Sequence, residues 1–282
     1  IAMYQAKSNG GGVRSFTASM HDEMRDRVTL EADLKRAVCE NEFVLYYQPQ
    51  VDVSTSKITG VEALVRWQHP ERGLLPPSQF IPLAEESGLI VALGEWVLKE
   101  ACRQGAQWRR NGLNVRVAIN VSPRQFAQRD LPRVVARTLD EFGFPPDYLD
   151  IELTESTLLE QERIVEISIA ALRCLGVGLQ IDDFGTGYSS LALLRRYRME
   201  ALKIDQGFIR GIRENAEDAA IVRSVIDLAH TLGMVVIAEG VETDWHYACL
   251  RDIGCDFVQG YHFSPPVQAD QIPLLIAQFG MK

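Results

Sequence analysis

From Phe43 onward the chain alternates short runs rich in apolar and β-branched residues with longer stretches whose apolar residues recur at helical spacing. The strand candidates are Phe43 to Val51, Ile58 to Trp67, Val115 to Val121, Tyr148 to Leu153, Gly178 to Asp182, Ala201 to Ile204, Met234 to Glu239 and Phe257 to Gln259, eight in all. Helical stretches follow from the second strand onward: Val91 to Arg110, Arg133 to Phe142, Ile164 to Leu175, Asp218 to Leu232 and Trp245 to Asp252. Repeated βα units argue for either an open doubly wound sheet or a closed barrel.

Two features favour closure. Eight strands is the number that closes around an interior filled by side chains. In Leu149-Asp150-Ile151-Glu152-Leu153 the apolar residues share one face and the two acids the other. An open sheet covered by helices on both sides would be apolar on both, so the acidic face is assigned to the mouth of a barrel. Only Ser54 to Lys57 joins the first two strands, too short for a parallel crossover, and an antiparallel hairpin follows. The expected fold is α/β, a TIM-like (β/α)8 barrel with the first strand antiparallel.

Ahead of the barrel, Met24, Val28, Leu34 and Val38 lie at helical spacing among charges, which predicts a lead-in helix over residues 22–40. Residues 1–20 contain Gly10-Gly11-Gly12 and read as a flexible exit from a preceding unit. The domain division is therefore 1–20 as a remnant and linker, and 21–282 as the barrel with its lead-in helix.

The net charge of -9 argues against binding a polynucleotide by its phosphates, a mode that needs a basic surface. No apolar run reaches the ~20 residues that span a bilayer, so no membrane contact is expected within this segment. Five cysteines, without a CxxC pair, fit reduced thiols in a cytoplasmic protein and are expected as buried packing residues. The five histidines form no HxxxH or HExxH pattern, which argues against a histidine-held zinc site.

Chemistry in a barrel of this kind sits where strands end. Those positions carry Glu62, Asn120, Glu152, Asp182 with Asp183, Lys203, Glu239 and Gln259, almost all charged or amide. Crowded carboxylates repel each other unless cations neutralise them. Oxygen donors without Cys or His suit Mg²⁺ or Mn²⁺, and two such ions about 3.5–4 Å apart can activate water and stabilise a leaving oxygen in phosphodiester hydrolysis. Asp182 would point inward and bridge, and Asp183, one residue past the strand end, would turn toward the second ion. Lys203 is the one cation of the set, suited to orienting water or offsetting charge in the transition state, or to a structural ion pair. Gly185-Thr186-Gly187 permits a tight loop beside the aspartates.

From about Thr29 to the C-terminus the sequence resembles the EAL family of cyclic di-GMP phosphodiesterases. The resemblance rests on Tyr46-Tyr47-Gln48-Pro49, Glu62-Ala63-Leu64-Val65-Arg66-Trp67, Asn120-Val121-Ser122, Glu152-Leu153-Thr154-Glu155-Ser156, Asp182-Asp183-Phe184-Gly185-Thr186-Gly187, Leu202-Lys203-Ile204-Asp205, Ala238-Glu239-Gly240-Val241-Glu242 and Gln259-Gly260-Tyr261, in the family's order. It implies that Glu62, Asn120, Glu152 and Asp182 ligate one metal and that Asp183 helps hold the second. It further implies that Glu62, Lys203 and Glu239 are catalytic, Glu239 acting through metal-bound water or as a general base. Gln48, Leu64, Arg66, Glu242 and Gln259 would bind substrate, with Arg66 on phosphate, and Glu155 would steady the loop after the aspartates. Gln206-Gly207 departs from the basic residue and serine more frequent there, and an effect on the neighbouring loop is expected.

The segment Ala2-Met3-Tyr4-Gln5-Ala6-Lys7-Ser8-Asn9-Gly10 resembles the closing helix of a GGDEF domain. The resemblance thus implies the C-terminal part of a GGDEF-EAL tandem in bacterial second-messenger signalling, with upstream sensory domains, a homodimer, and room for membrane tethering outside this segment. The expected activity is hydrolysis of cyclic di-GMP to linear 5'-pGpG with two Mg²⁺ or Mn²⁺ ions. Two other readings stay open: a non-catalytic cyclic di-GMP receptor, which would have lost a ligand or Lys203, and an unrelated barrel hydrolase acting on another phosphate ester.

Overall fold

The computed structural model describes residues 18–159, 162–185, 191–213 and 215–280. Most of the expected GGDEF-like remnant, residues 1–17, and Thr186-Gly187 of the aspartate loop lie outside the described residues.

The strands are β1 (Phe43–Asp52), β2 (Ile58–His69), β3 (Gly73–Leu75), β4 (Arg116–Asn120), β5 (Leu149–Thr154), β6 (Gly178–Phe184), β7 (Ala201–Ile204), β8 (Val235–Ala238) and β9 (Phe257–Val258). All neighbours from β4 to β9 pair in parallel, and β2 pairs in parallel with β4. β1 closes the ring, antiparallel to both β2 and β9, so the first strand runs backwards as expected. Eight strands form the barrel. The ninth, β3, was not foreseen: three residues fold back antiparallel on the end of β2, too few to show an alternation in the sequence.

Alternation along the strands sorts the residues by face. Val61, Val117, Ile119, Leu149, Ile151, Leu153, Leu179, Leu202 and Val236 face outward into one apolar layer beneath the helices. Each such side chain contributes roughly 1.5–3 kcal/mol on full burial. The inward face carries Gln50, Asp150, Glu152, Gln180 and Lys203, all buried. Barrel interiors are usually filled by branched apolar residues; here polarity runs the length of the interior and is not confined to the mouth. Asp150 lies at the opposite end from Glu152, bonded to Arg116 at the start of β4.

A second apolar cluster seats the helix Ala18–Glu40. Its Leu30, Leu34 and Ala37 pack with Phe43, Trp67 and Phe80. Polar contacts fix the orientation: Trp67 Nε1 donates to Glu42 at 2.8 Å, and His69 Nε2 meets Asp33 at 3.3 Å. His69 Nδ1 accepts from the backbone N–H of Glu71 and of Arg72, so the proton belongs on Nε2. The cysteine expectation needs correction. Cys102 and Cys255 are buried, with their thiols pushed up to about 12 by burial, but Cys39 and Cys174 are exposed on outer helix surfaces.

Candidate active site

Parallel pairing lines up the C-terminal ends of the strands, so residues far apart in sequence meet. Glu62 lies level with Gln48 on β1 and Ala118 on β4; Asn120 is level with Glu152, and Thr154 with Asp182. Glu239 follows β8, its backbone N–H bonded to Ile204, and Gln259 follows β9, bonded to Ala238.

The centre is Lys203, whose side chain is 1% exposed. Its Nζ lies 2.7 Å from Glu239, 2.8 Å from Glu152, 3.2 Å from Asp182 and 3.4 Å from Glu62. Asn120 donates to Glu62 Oε1 at 2.7 Å, and Gln259 Nε2 donates to Glu62 Oε2 at 2.5 Å and to Gln48 at 3.0 Å.

Regular alternation would aim Asp183 outward. The strand runs on through it to Phe184, which corrects its expected place beyond the strand end. It turns inward because the register with β7 breaks between Ile181 and Phe184, and because Asp183 takes a left-handed backbone with φ 54°. Such a conformation in a non-glycine residue costs free energy and clusters at functional sites. Its backbone N–H caps Asp182 Oδ1 at 2.9 Å. Carboxylate oxygens of Asp182, Asp183 and Glu239 thereby lie within 4.8 Å of one another, a group that could hold a metal ion.

Protonation follows the charge distribution. Burial works against ionised Glu62, but the Lys203 charge and hydrogen bonds from Gln259 and Asn120 hold its pKa below the usual value. Glu152 is driven well up, by burial and then by Glu62. Asp183 is raised by burial and by Asp182, and Glu239 rises to about 7, again mainly by burial. Lys203 stays charged: burial opposes it, but Asp182, Glu152, Glu239 and Glu62 together raise its pKa well above normal. Five carboxylates thus face one buried ammonium. Glu152 Oε1 is buried without a hydrogen-bond partner. Oxygen donors short of positive charge, one with an unused lone pair, fit a hard divalent cation.

Above the cluster opens a cavity of about 320 Å³ lined by Gln48, Glu62, Leu64, Arg66, Asp182, Glu239, Glu242 and Gln259 among others. Every substrate-binding candidate named from the sequence therefore reaches one cleft. Arg66 sits four residues beyond Glu62 on β2, its guanidinium donating to Val65 O at 2.9 Å and lying 5.8 Å from the Tyr46 ring. Gln206, Arg210, Tyr261 and Pro266 also line the cleft. None of these four was a site candidate: Gln206 and Arg210 lie on the helix Gln206–Gly211 past the strand end, and Tyr261 and Pro266 lie beyond the end of β9. Glu155 is buried at the start of the short helix Glu155–Leu159, beyond β5. A more apolar cavity of about 390 Å³, on the far side of Leu64 and Asn120, has Glu85 as its one ionisable lining residue and offers no comparable chemistry.

Fold and site together define an α/β-barrel protein with an acidic mouth that could hold a cation. The family model for the EAL domain matches residues 31–266, and the chain belongs to that family. It is 42% identical over 98% of its length to the bifunctional diguanylate cyclase/cyclic di-GMP phosphodiesterase MucR of Pseudomonas aeruginosa, covering 41% of that protein. It is 42% identical over 95% of its length to the cyclic di-GMP phosphodiesterase PdeR of Escherichia coli, covering 40%. The chain thus spans about two fifths of these curated relatives. A solved structure of the PaMucR phosphodiesterase in complex with c-di-GMP superposes with a TM-score of 0.83 at 43% identity, over 86% of this chain and 99% of that one. Among the described residues no helix is long and apolar enough to cross a membrane.

Proposed function

We propose that the chain hydrolyses cyclic di-GMP, opening one phosphodiester bond to give linear 5'-pGpG. The observation that carries this reading is the unmatched charge of the mouth, where four carboxylates contact Lys203 and a fifth, Asp183, lies beside them, beneath a cleft that Arg66 flanks. The names of MucR and PdeR, and the nucleotide in the PaMucR structure, point to the same substrate.

In this reading Glu62, Asn120, Glu152 and Asp182 hold one Mg²⁺ or Mn²⁺, and Asp183 helps hold a second. The ions supply Lewis acidity toward the phosphate and lower the pKa of the attacking water. Glu239, whose pKa burial and its acidic neighbours raise to about 7 in the metal-free cluster, would take the proton of the attacking water as general base. Lys203, held by carboxylates on several sides beneath the cleft, would offset negative charge as it builds up on the phosphoryl group. Arg66 suits a phosphate oxygen with its planar fork of donors. Gln48, Leu64, Glu242 and Gln259 shape the cleft around the nucleotide, and Gln259 Oε1, buried and without a partner, offers an acceptor there. Glu155 supports the segment after Asp183 from the neighbouring strand end. A homodimer, upstream GGDEF-like and sensory domains, and a cytoplasmic setting complete the proposal.

Incubation with cyclic di-GMP and Mg²⁺ or Mn²⁺, followed by separation of products, tests it. Linear pGpG is the expected product. Tight binding of a nucleotide that stays intact would favour a receptor, and neither binding nor cleavage would remove both readings.

A further inference from the structure

One layer below the mouth, β6 turns Gln180 into the barrel, between Leu179 and Ile181, which face outward into the apolar layer. Gln180 is 5% exposed, stands two residues before Asp182 on the same face, and is level with Glu152 on β5 and Ala201 on β7. Adjacent strands run about 4.8 Å apart, so Gln180 and Glu152 are neighbours on the inward face. On the other flank Ala201 takes little room. The next inward residue of β7 is Lys203, whose Nζ donates to Glu152 Oε2 at 2.8 Å.

Packing gives no reason for an amide here. Barrel interiors are filled by branched apolar side chains, and an amide oxygen buried without a partner destabilises a fold where an apolar side chain of the same volume does not. Among the described residues Gln180 Oε1 has no hydrogen-bond partner, and neither has Glu152 Oε1. Two acceptors on adjacent strands do not bond to each other. A water molecule answers both, because its two O–H groups donate in two directions and buried water settles where polar groups lack partners. Each carboxylate oxygen carries two lone pairs, so Glu152 Oε1 can accept from such a water below and still offer a lone pair to a cation above. We propose that Gln180 is a positioning residue, which holds Glu152 toward the mouth through a shared buried water and thereby tightens metal binding. This rests on the metal-dependent reading of the site. With Lys203 fixing Oε2 and the water fixing Oε1, Glu152 meets the ion already oriented. Removing a group that orients a metal ligand in this way lowers metal affinity about 10- to 100-fold.

Gln180→Met keeps the volume and loses the amide, and Gln180→Asn keeps an amide on a shorter stem. In calorimetric titration with Mn²⁺, the apparent Kd of Gln180→Met rises about tenfold or more, and Gln180→Asn recovers part of the loss. At limiting Mn²⁺ the kcat for cyclic di-GMP falls in Gln180→Met and excess Mn²⁺ restores it, while KM stays within about 3-fold. A residue that only fills space predicts otherwise: wild-type Mn²⁺ affinity in Gln180→Met, with equal or greater resistance to urea, overturns the proposal. A crystal structure of the metal-free wild type is expected to show a water within hydrogen-bond distance of both Gln180 and Glu152. Direct contact between amide and carboxylate without that water, or a Gln180 side chain turned away from Glu152, overturns it as well. Should wild type bind no Mn²⁺, the metal-dependent reading fails by itself, and the crystal structure still decides whether Gln180 holds Glu152.

Discussion

Asp150 and Glu152 stand two residues apart on the inward face of β5, and each is buried against a cation supplied by another strand. At the floor of the barrel, Asp150 meets Arg116 through both oxygens: Nε donates to Oδ2 at 2.8 Å and Nη2 to Oδ1. Arg116 also donates to Asp147 O at 2.6 Å, and its pKa is raised first by the hydrogen bonds to Asp150. One charge answers one charge. At the mouth, Glu152 shares Lys203 with Glu62, Asp182 and Glu239, and leaves Oε1 unused. Both ends pair opposite charges, so the presence of an ion pair does not separate scaffold from site. The balance of charge does: the floor is satisfied by its own residues, and the mouth asks for cations from outside.

Removing the mouth's one ammonium has the largest expected effect. Lys203→Met leaves the carboxylates uncompensated, so the metal-free fold loses about 3–5 kcal/mol in urea unfolding and activity falls at least ~100-fold. Unchanged activity in a folded Lys203→Met protein would contradict its catalytic placement.

The next substitutions set the two acids of β5 against each other. Glu152→Gln keeps the shape, relieves repulsion and takes away a ligand. The metal-free protein gains on the order of 1 kcal/mol while turnover drops ~100-fold. Asp150→Asn gives the opposite result: loss of the charged bonds costs about 1.5–3 kcal/mol, and kcat/KM stays within about twofold. If both variants lost stability and both kept activity, the contrast between floor and mouth would be wrong.

The smallest effect is on pH dependence, read in a chelator. Glu239 titrates at about 7 in the fold, against about 4.3 in the unfolded chain. Between those values the folded state binds the extra proton, so stability is full below about 4.3 and declines as pH rises toward 7. Glu239→Gln removes this contribution, and its stability profile over that window is flatter than that of wild type. A slope as steep in the variant as in wild type would refute the assignment.

Much of the architecture was legible because it depends on period and connection length. The outward Leu149, Ile151 and Leu153, and the four-residue Ser54–Lys57 link, fixed barrel and hairpin alike. The acidic mouth was legible because parallel strands must end together, which made Glu62, Asn120, Glu152, Asp182 and Glu239 neighbours on paper. What escaped depends on geometry that sequence patterns do not carry. Asp150 shares a face with Glu152, and only depth along the strand sends it to Arg116 and not to the mouth. Asp183 reaches the cluster through a left-handed residue and a register break. Arg210 sits a turn into a helix, where a search restricted to strand ends does not look. Cys39 and Cys174 fall on the exposed faces of their helices, which composition does not reveal.

Titration with Mn²⁺ followed by electron paramagnetic resonance, on wild type, Asp150→Asn and Glu152→Gln, tests most directly whether the mouth's charge deficit is met by metal ions. The account predicts about two bound ions per chain in wild type and in Asp150→Asn, with weakened or lost binding in Glu152→Gln. Equal binding in Glu152→Gln and wild type, or no binding in wild type up to millimolar Mn²⁺, would contradict it.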